Sequence, residues 1–302
     1  MSRRSRWPAA LLASTLGTLF LILYAVRRDP ESVIVVTPTH DALSRFAHIT
    51  VLAQSLPRPE SGVKVLWLVV EDAAEQDSAV RDLLEATGID YRYLAVQTPT
   101  DATHRGVAQR NGALEWILRE QLAGVVYFAD DDNAYRAALW SHLARMPLDS
   151  FTVFPVGNMG YFGWEGPILA EAAEGKARIE QWSCDFCPRR WNVDMSGFAF
   201  GTETLRRRPD LRFDPASVTG YLETDFLAQV ERTNATLVCI PDLVGSIHVW
   251  HNHGVPFHGA AFYDAAWTTD GTAARRMKHQ EDLVIGFTWS EPDLPLAIPL
   301  DS

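Results

Sequence analysis

Between residues 33 and 129 the chain alternates four short apolar runs with helical stretches, and this alternation constrains the fold more than any other feature. Val33–Thr37 (VIVVT), Val65–Val70 (VLWLVV), Tyr91–Val96 and Val125–Ala129 (VVYFA) read as strands. Residues 41–55, 76–87 and 106–121 read as helices. Gly88 is a helix stop, and Val107, Leu114, Ile117 and Leu118 stripe the third helix. Runs that are apolar throughout, not at every second residue, belong to strands buried on both faces. Strand and helix in turn predict an α/β fold with a mostly parallel, doubly wound sheet. Such sheets bind ligands at the carboxyl ends of their strands. After residue 150 Gly, Pro, Trp and Phe become frequent and the elements shorten, which reads as a second lobe on the same sheet. With 302 residues, 47% of them apolar, the chain can bury a sizeable core.

The N-terminus has a different character. Pro8–Val26 is a run of 19 residues whose single ionisable side chain is Tyr24. That length suits a membrane-spanning helix and exceeds a signal-peptide core. Arg27 and Arg28 follow it, with no clear small-residue cleavage site. Arg3, Arg4 and Arg6 before it favour a cytoplasmic N-terminus. The expectation is a tail at 1–7, a signal anchor at 8–26, a very short stem at 27–32 and a lumenal domain at 33–302. The alternative is a cleaved signal.

Net charge is −11. The first 28 residues hold five arginines and no acid, so the remainder, with 22 basic and 38 acidic residues, carries −16. Such a body excludes a general nucleic-acid binder. It needs a cation or local arginines to hold an anionic ligand. Cys184, Cys187 and Cys239 are too few for a disulfide-built fold, and one must stay unpaired if a bridge forms. Asn234-Ala235-Thr236 is an N-glycosylation sequon.

Asp130-Asp131-Asp132 follows the VVYFA run directly. Three adjacent carboxylates repel one another unless a cation joins them. Hard divalent cations prefer oxygen ligands and keep positions open for phosphate oxygens. The triplet at a strand end is therefore a candidate metal–diphosphate site; the competing reading is a solvated acidic turn. Thr37–His40 and Glu71-Asp72 end other strands, where an acid can accept hydrogen bonds from a base or ribose. Arg105 and Arg110 open a helix, a setting suited to phosphate. Glu223 starts a helix with Phe226, Leu227 and Val230 inward, and from the residues alone it reads as a helix-start acid stabilised by the dipole; Asp225 lies two positions on.

The stretches VVTPTH, WLVVEDA, RGVAQRNGALEWI, GVVYFADDDNAY, FPVGNMGY, WEGP, VDMSGFAF, YLETDFL and VWHNH resemble glycosyltransferase family 43 from about Val33 to His253. Its best-known members are β-1,3-glucuronyltransferases of the animal Golgi. The resemblance implies a GT-A fold, Mn²⁺, a UDP-sugar donor, a glycan acceptor, inversion, and a single-pass type II protein of the Golgi membrane. Members are often homodimers. The donor half would cover about 33–132 and the acceptor half 133–302. Carried over by position, Pro38, His40 and Asp72 match residues around uracil. Arg105, Arg110, Asp130, Asp131 and His251 match the rest of the donor site. Asp132 matches the metal ligand. Glu165, Arg189 and Asp194 match the acceptor side, with Arg190 as the alternative to Arg189. Glu223 matches the catalytic base, since inverting transfer needs one carboxylate to take the acceptor's proton; Asp225 is its rival. Trp164, Trp182 and Trp191 are then candidate sugar-stacking rings near the acceptor side, against ordinary core packing.

Three positions depart from the animal pattern. His40 replaces Tyr, and Thr219 and His253 replace arginines. The leading expectation is transfer of glucuronic acid from UDP-glucuronate to the 3-OH of a terminal galactose. A neutral donor would need no such arginines, so UDP-xylose-dependent xylan synthesis is the alternative. A non-catalytic scaffold and a lectin-like module are the readings outside the enzyme class.

Overall fold

The computed structural model describes residues 32–157, 159, 163–171, 177–184, 189–251 and 296–299; Pro8–Val26, Cys187, His253 and His258 lie outside them. In chain order the first half builds β1 (Ser32–Thr39), α1 (Arg45–Ser55), β2 (Lys64–Glu71), α2 (Ser78–Thr87), β3 (Tyr91–Ala95), α3 (Val107–Arg119) and β4 (Val125–Phe128). The second half builds β5 (Ala134–Tyr135), α4 (Ala138–Ala144), β6 (Ser150–Val153), β7 (Val156–Gly157), β8 (Trp164–Glu171), β9 (Ala177–Ser183) and β10 (Phe198–Gly201). It ends with α5 (Thr202–Arg207), α6 (Leu222–Glu231), β11 (Thr236–Cys239), α7 (Pro241–Val244), β12 (Val249–Trp250) and β13 (Leu296–Pro299). Among the described residues no helix is long and apolar enough to cross a membrane.

The expected strands and helices all form, within a few residues at each end. β1 pairs in parallel with β2 and β4, and β2 in parallel with β3. The spatial order β3-β2-β1-β4 reverses direction between β1 and β4. That reversal opens a crevice at the carboxyl ends of these two strands. β10 then joins β4 antiparallel, and β6 and β11 continue the same sheet.

Local chemistry explains the boundaries. α2 starts after Asp77 because the Asp77 carboxylate accepts the Ala79 N–H at 2.8 Å. It stops at Gly88, whose φ of +69° suits a residue without Cβ. α3 starts at Gly106, with φ +75°. A Cβ there would lie 2.3 Å from Arg110 Nη1, so this glycine also makes room for a guanidinium.

The core continues beneath the crevice. Phe128, Phe198, Phe200, Phe213 and Phe226 are all buried and form one aromatic cluster. Phe213 stacks on Phe226 with centroids 4.2 Å apart and planes at 13°. Each such ring contributes roughly 1.5–3 kcal/mol through burial. The cluster seats α6 against the sheet.

Candidate active site

The crevice between β1 and β4 gathers the aspartate triplet, and its three carboxylates have different surroundings. Asp130 Oδ1 accepts from Arg110 Nη2 at 2.5 Å. Asp131 Oδ2 accepts the Thr39 hydroxyl at 2.7 Å, a bond from one strand end to the other. Asp132, half-buried, has neither kind of partner among the described residues. Burial pushes the Asp131 carboxyl up, and Asp132 and Asp130 add to the rise, while the Thr39 bond and His48 oppose it. Among the described residues, neither Asp131 nor Asp132 forms an ion pair. No three His, Cys, Asp or Glu side chains converge on one point among the described residues. This donor set fits Mg²⁺ or Mn²⁺ held by one carboxylate and completed by phosphate oxygens and water.

The neighbouring strand ends build the rim. The Asp72 N–H donates to the Thr39 carbonyl at 2.8 Å, which fixes the end of β2 to the end of β1. Both Asp72 carboxylate oxygens accept from Thr98, one from its N–H at 2.7 Å and one from its hydroxyl at 2.6 Å. Gln109 on α3, buried, donates to the Val96 carbonyl at 2.6 Å and to Thr98 Oγ1 at 3.0 Å. Pro38 is half-buried in β1, and His40 and Arg105 are exposed. Thr98→Val removes one of the two donors that orient Asp72. A hydrogen bond to a charged group contributes about 1.5–3 kcal/mol, so donor affinity should fall about tenfold or more. Titration calorimetry with UDP checks this, and Thr98→Ser should retain affinity.

Glu71 does not belong to the rim. It is buried, its Oε1 accepts from Arg45 Nη1 at 2.6 Å, and its Oε2 accepts from the Tyr93 hydroxyl and from the Asp77 N–H. Its carboxylate fixes α1 and α2 to the sheet. Of the two acids that end β2, Glu71 is thus turned into the interior, and Asp72 is the one held at the strand end by Thr98.

On the other wall, Arg189 forms an ion pair with Glu165 of β8, and its Nη1 donates to the Gly220 carbonyl at 3.0 Å. Arg190 pairs instead with Glu231, through Nε at 2.7 Å. Asp194 Oδ1 accepts the Ser196 N–H at 2.9 Å. Burial pushes the Asp194 carboxyl up; Asp130 adds to the rise, and His251 and Arg110 oppose it. The His251 N–H donates to the Gly157 carbonyl at 3.0 Å, just past β12.

Glu223 lies in the first turn of α6. Burial pushes its carboxyl up to about 7; Asp194 adds to the rise, and its own N–H, Arg189 and Arg110 oppose it. The base candidate and the triplet thus share one electrostatic field through Arg110 and Asp194. Asp225, the rival acid, is exposed and accepts from the Ser217 hydroxyl at 2.7 Å. A carboxyl that titrates near neutral pH beside a bound diphosphate can accept a proton from a hydroxyl.

Other expectations are corrected or extended. Trp164 and Trp191 are fully buried core residues, so they present no face to a sugar; Trp182, half-buried, packs edge-on against Trp191. Trp164, at the start of β8, and Trp191, beyond the end of β9, both turn inward. His248 is buried beside His142, with Nε2 3.0 Å from the Asp242 carbonyl, as a structural histidine. Cys184 is disulfide-bonded and Cys239 is a buried free thiol. Asn234 is exposed at φ +58° in the turn before β11. Thr39 and Gln109 lie within VVTPTH and RGVAQRNGALEWI without a role being legible for either, and Thr98 lies in no such stretch.

A sequence profile of Glycosyltransferase family 43 matches residues 60–254, and the chain belongs to that family. It is 30% identical over 231 residues to galactosylgalactosylxylosylprotein 3-beta-glucuronosyltransferase P of Drosophila melanogaster, covering 74% of this chain and 46% of that one. It is 33% identical over 229 residues to the human 3-beta-glucuronosyltransferase 3 of the same name, covering 67% of this chain and 65% of that one. The chain thus spans about half the length of the first relative and under two thirds of the second. Among solved structures it is similar to S. aureus TarS 1–349, with a TM-score of 0.47 and 14% identity over 73% of this chain and 60% of that one.

Proposed function

We propose that this chain is an inverting glycosyltransferase that moves glucuronic acid from UDP-glucuronate to the 3-OH of a terminal galactose of a glycan. The observation that carries this reading is the grouping of Glu223 with Asp194, Arg189 and Arg110, the last of which is bonded to Asp130 of the aspartate triplet. The names of the curated relatives support the glucuronate donor and the linker-type acceptor.

The residues act as follows. Asp72 and Pro38 hold the nucleobase end of the donor, and Arg105 and Arg110 face its diphosphate. Asp132 holds Mn²⁺. A bound Mn²⁺ would neutralise the charge that develops on the leaving diphosphate. Glu165, Arg189 and Asp194 orient the acceptor. Glu223 removes the acceptor hydroxyl proton as that oxygen bonds to the anomeric carbon. The bond from that carbon to the β-phosphate oxygen breaks on the opposite face, and UDP departs with the electron pair. One carboxylate suffices because no sugar–enzyme bond forms.

A second reading, a neutral UDP-xylose donor, is favoured by one observation. Arg110 and Arg189 are already engaged by Asp130 and Glu165, and Thr219, where animal relatives carry arginine, is exposed and uncharged. A UDP-sugar panel with residues 29–302, Mn²⁺ and assorted saccharides decides between the two by released UDP. Release with UDP-glucuronate and a galactose-terminated acceptor is expected. Release with UDP-xylose alone would establish the second reading; UDP binding without release on any acceptor would establish a scaffold. The Pro8–Val26 run and its arginine flanks support a type II anchor in the Golgi membrane, and the exposed turn at Asn234 supports glycosylation there.

A further inference from the structure

Segment 208–221, which leads into α6, is held from the donor side at two points. Asn111 on α3 brackets Phe213: its Nδ2 donates to the Phe213 carbonyl at 2.9 Å, and its Oδ1 accepts the Phe213 N–H at 2.8 Å. The Phe213 ring in turn stacks on Phe226 of α6. The second point is His104, the residue before Arg105. Its Nε2 lies 2.6 Å from the Ser217 carbonyl. A carbonyl oxygen only accepts, so Nε2 carries the hydrogen. Ser217 is buried, and its hydroxyl donates to Asp225 Oδ2 at 2.7 Å. Asp225 lies two residues from Glu223 on the same helix.

We propose that His104 is a positioning residue for Glu223, linking the donor loop 99–106 to α6 through Ser217 and Asp225. The proposal rests on the reading of Glu223 as the base. Three features support it. The contact joins segments 113 positions apart, from opposite halves of the cleft. His104 shares a peptide bond with Arg105, so whatever a diphosphate does to Arg105 reaches His104 directly. Asn111 sits on a regular helix and holds Phe213 there, whereas residues 99–106 lie outside any helix or strand. Filling the donor site would thus set the base helix through a chain of two hydrogen bonds. His104 acts through Ser217, not on substrate.

The test uses three variants, His104→Ala, His104→Gln and Ser217→Ala. His104→Gln keeps an N–H donor; Ser217→Ala keeps the carbonyl and removes the link to Asp225. Steady-state kinetics, UDP calorimetry with Mn²⁺ and amide hydrogen exchange of residues 217–227 with and without UDP are read together. In His104→Ala, kcat should fall about tenfold, as for one lost hydrogen bond, while donor KM and UDP affinity stay within about twofold. His104→Gln should recover most of the loss, and Ser217→Ala should resemble His104→Ala. UDP should slow exchange at 217–227 in the unmodified protein and in His104→Gln, and not in His104→Ala. Parallel losses of UDP affinity and kcat would overturn the proposal in favour of an ordinary donor contact. So would unchanged kcat with unchanged UDP-dependent protection. Should the unmodified protein release no UDP with any acceptor, the proposed function fails, and the exchange measurement alone decides the role of His104.

Discussion

Glu223→Gln is expected to lower transfer by a factor of roughly 10² or more while UDP binding with Mn²⁺ is retained. The amide keeps the shape of the side chain and cannot take a proton. Single-turnover UDP release with saturating donor measures the loss; unchanged turnover would remove Glu223 from the role of base. The same substitution has a stability signature. The Glu223 carboxyl is raised by burial to about 7, from an ordinary 4.5 in the unfolded chain. Between those values the folded protein binds more protons than the unfolded one, so stability falls as pH rises through that window. The charged form destabilises the fold by up to about 3 kcal/mol above pH 7, at 1.36 kcal/mol per unit. Glu223→Gln should therefore be more stable than the unmodified protein at pH 8, and nearly equal to it below pH 4.5. Urea unfolding at both pH values, with EDTA present, checks the sign. Catalysis shows the opposite dependence, because only the deprotonated carboxyl accepts a proton.

Asp132→Asn should abolish metal-dependent UDP binding. An amide oxygen is a weaker ligand for a hard cation than a carboxylate, and Asp132 is the triplet member without an internal partner among the described residues. UDP affinity with Mn²⁺ should fall at least tenfold, to the level seen with EDTA. Asp130→Asn is the contrast. It loosens Arg110, so it should weaken UDP binding with and without the metal alike. Full metal dependence in Asp132→Asn would overturn the assignment.

The first half of the chain was legible because its strands are buried on both faces, and such strands are apolar throughout. The order of apolar runs fixed where Asp72 and the triplet would fall, at the carboxyl ends that a doubly wound sheet exposes. Glu71 shows the limit of that reasoning. Adjacent residues at a strand end face opposite ways, and no periodicity remains there to say which acid turns inward. Trp164 and Trp191 show a second limit. Aromatic rings near a site and aromatic rings in a core look alike until the segments that carry them are placed. The uncharged supports, Thr98 and Gln109, act through contacts between segments far apart in sequence. Linear spacing holds no trace of them.

Gly106 couples two demands that are usually met separately. Its backbone hand excludes most L residues, and the space beside its α-carbon is filled by the Arg110 guanidinium. Evolutionary drift at 106 is therefore tied to position 110. Lineages that retain the arginine should retain the glycine, and a lineage that replaced the arginine would face only the conformational obstacle, which asparagine can partly meet.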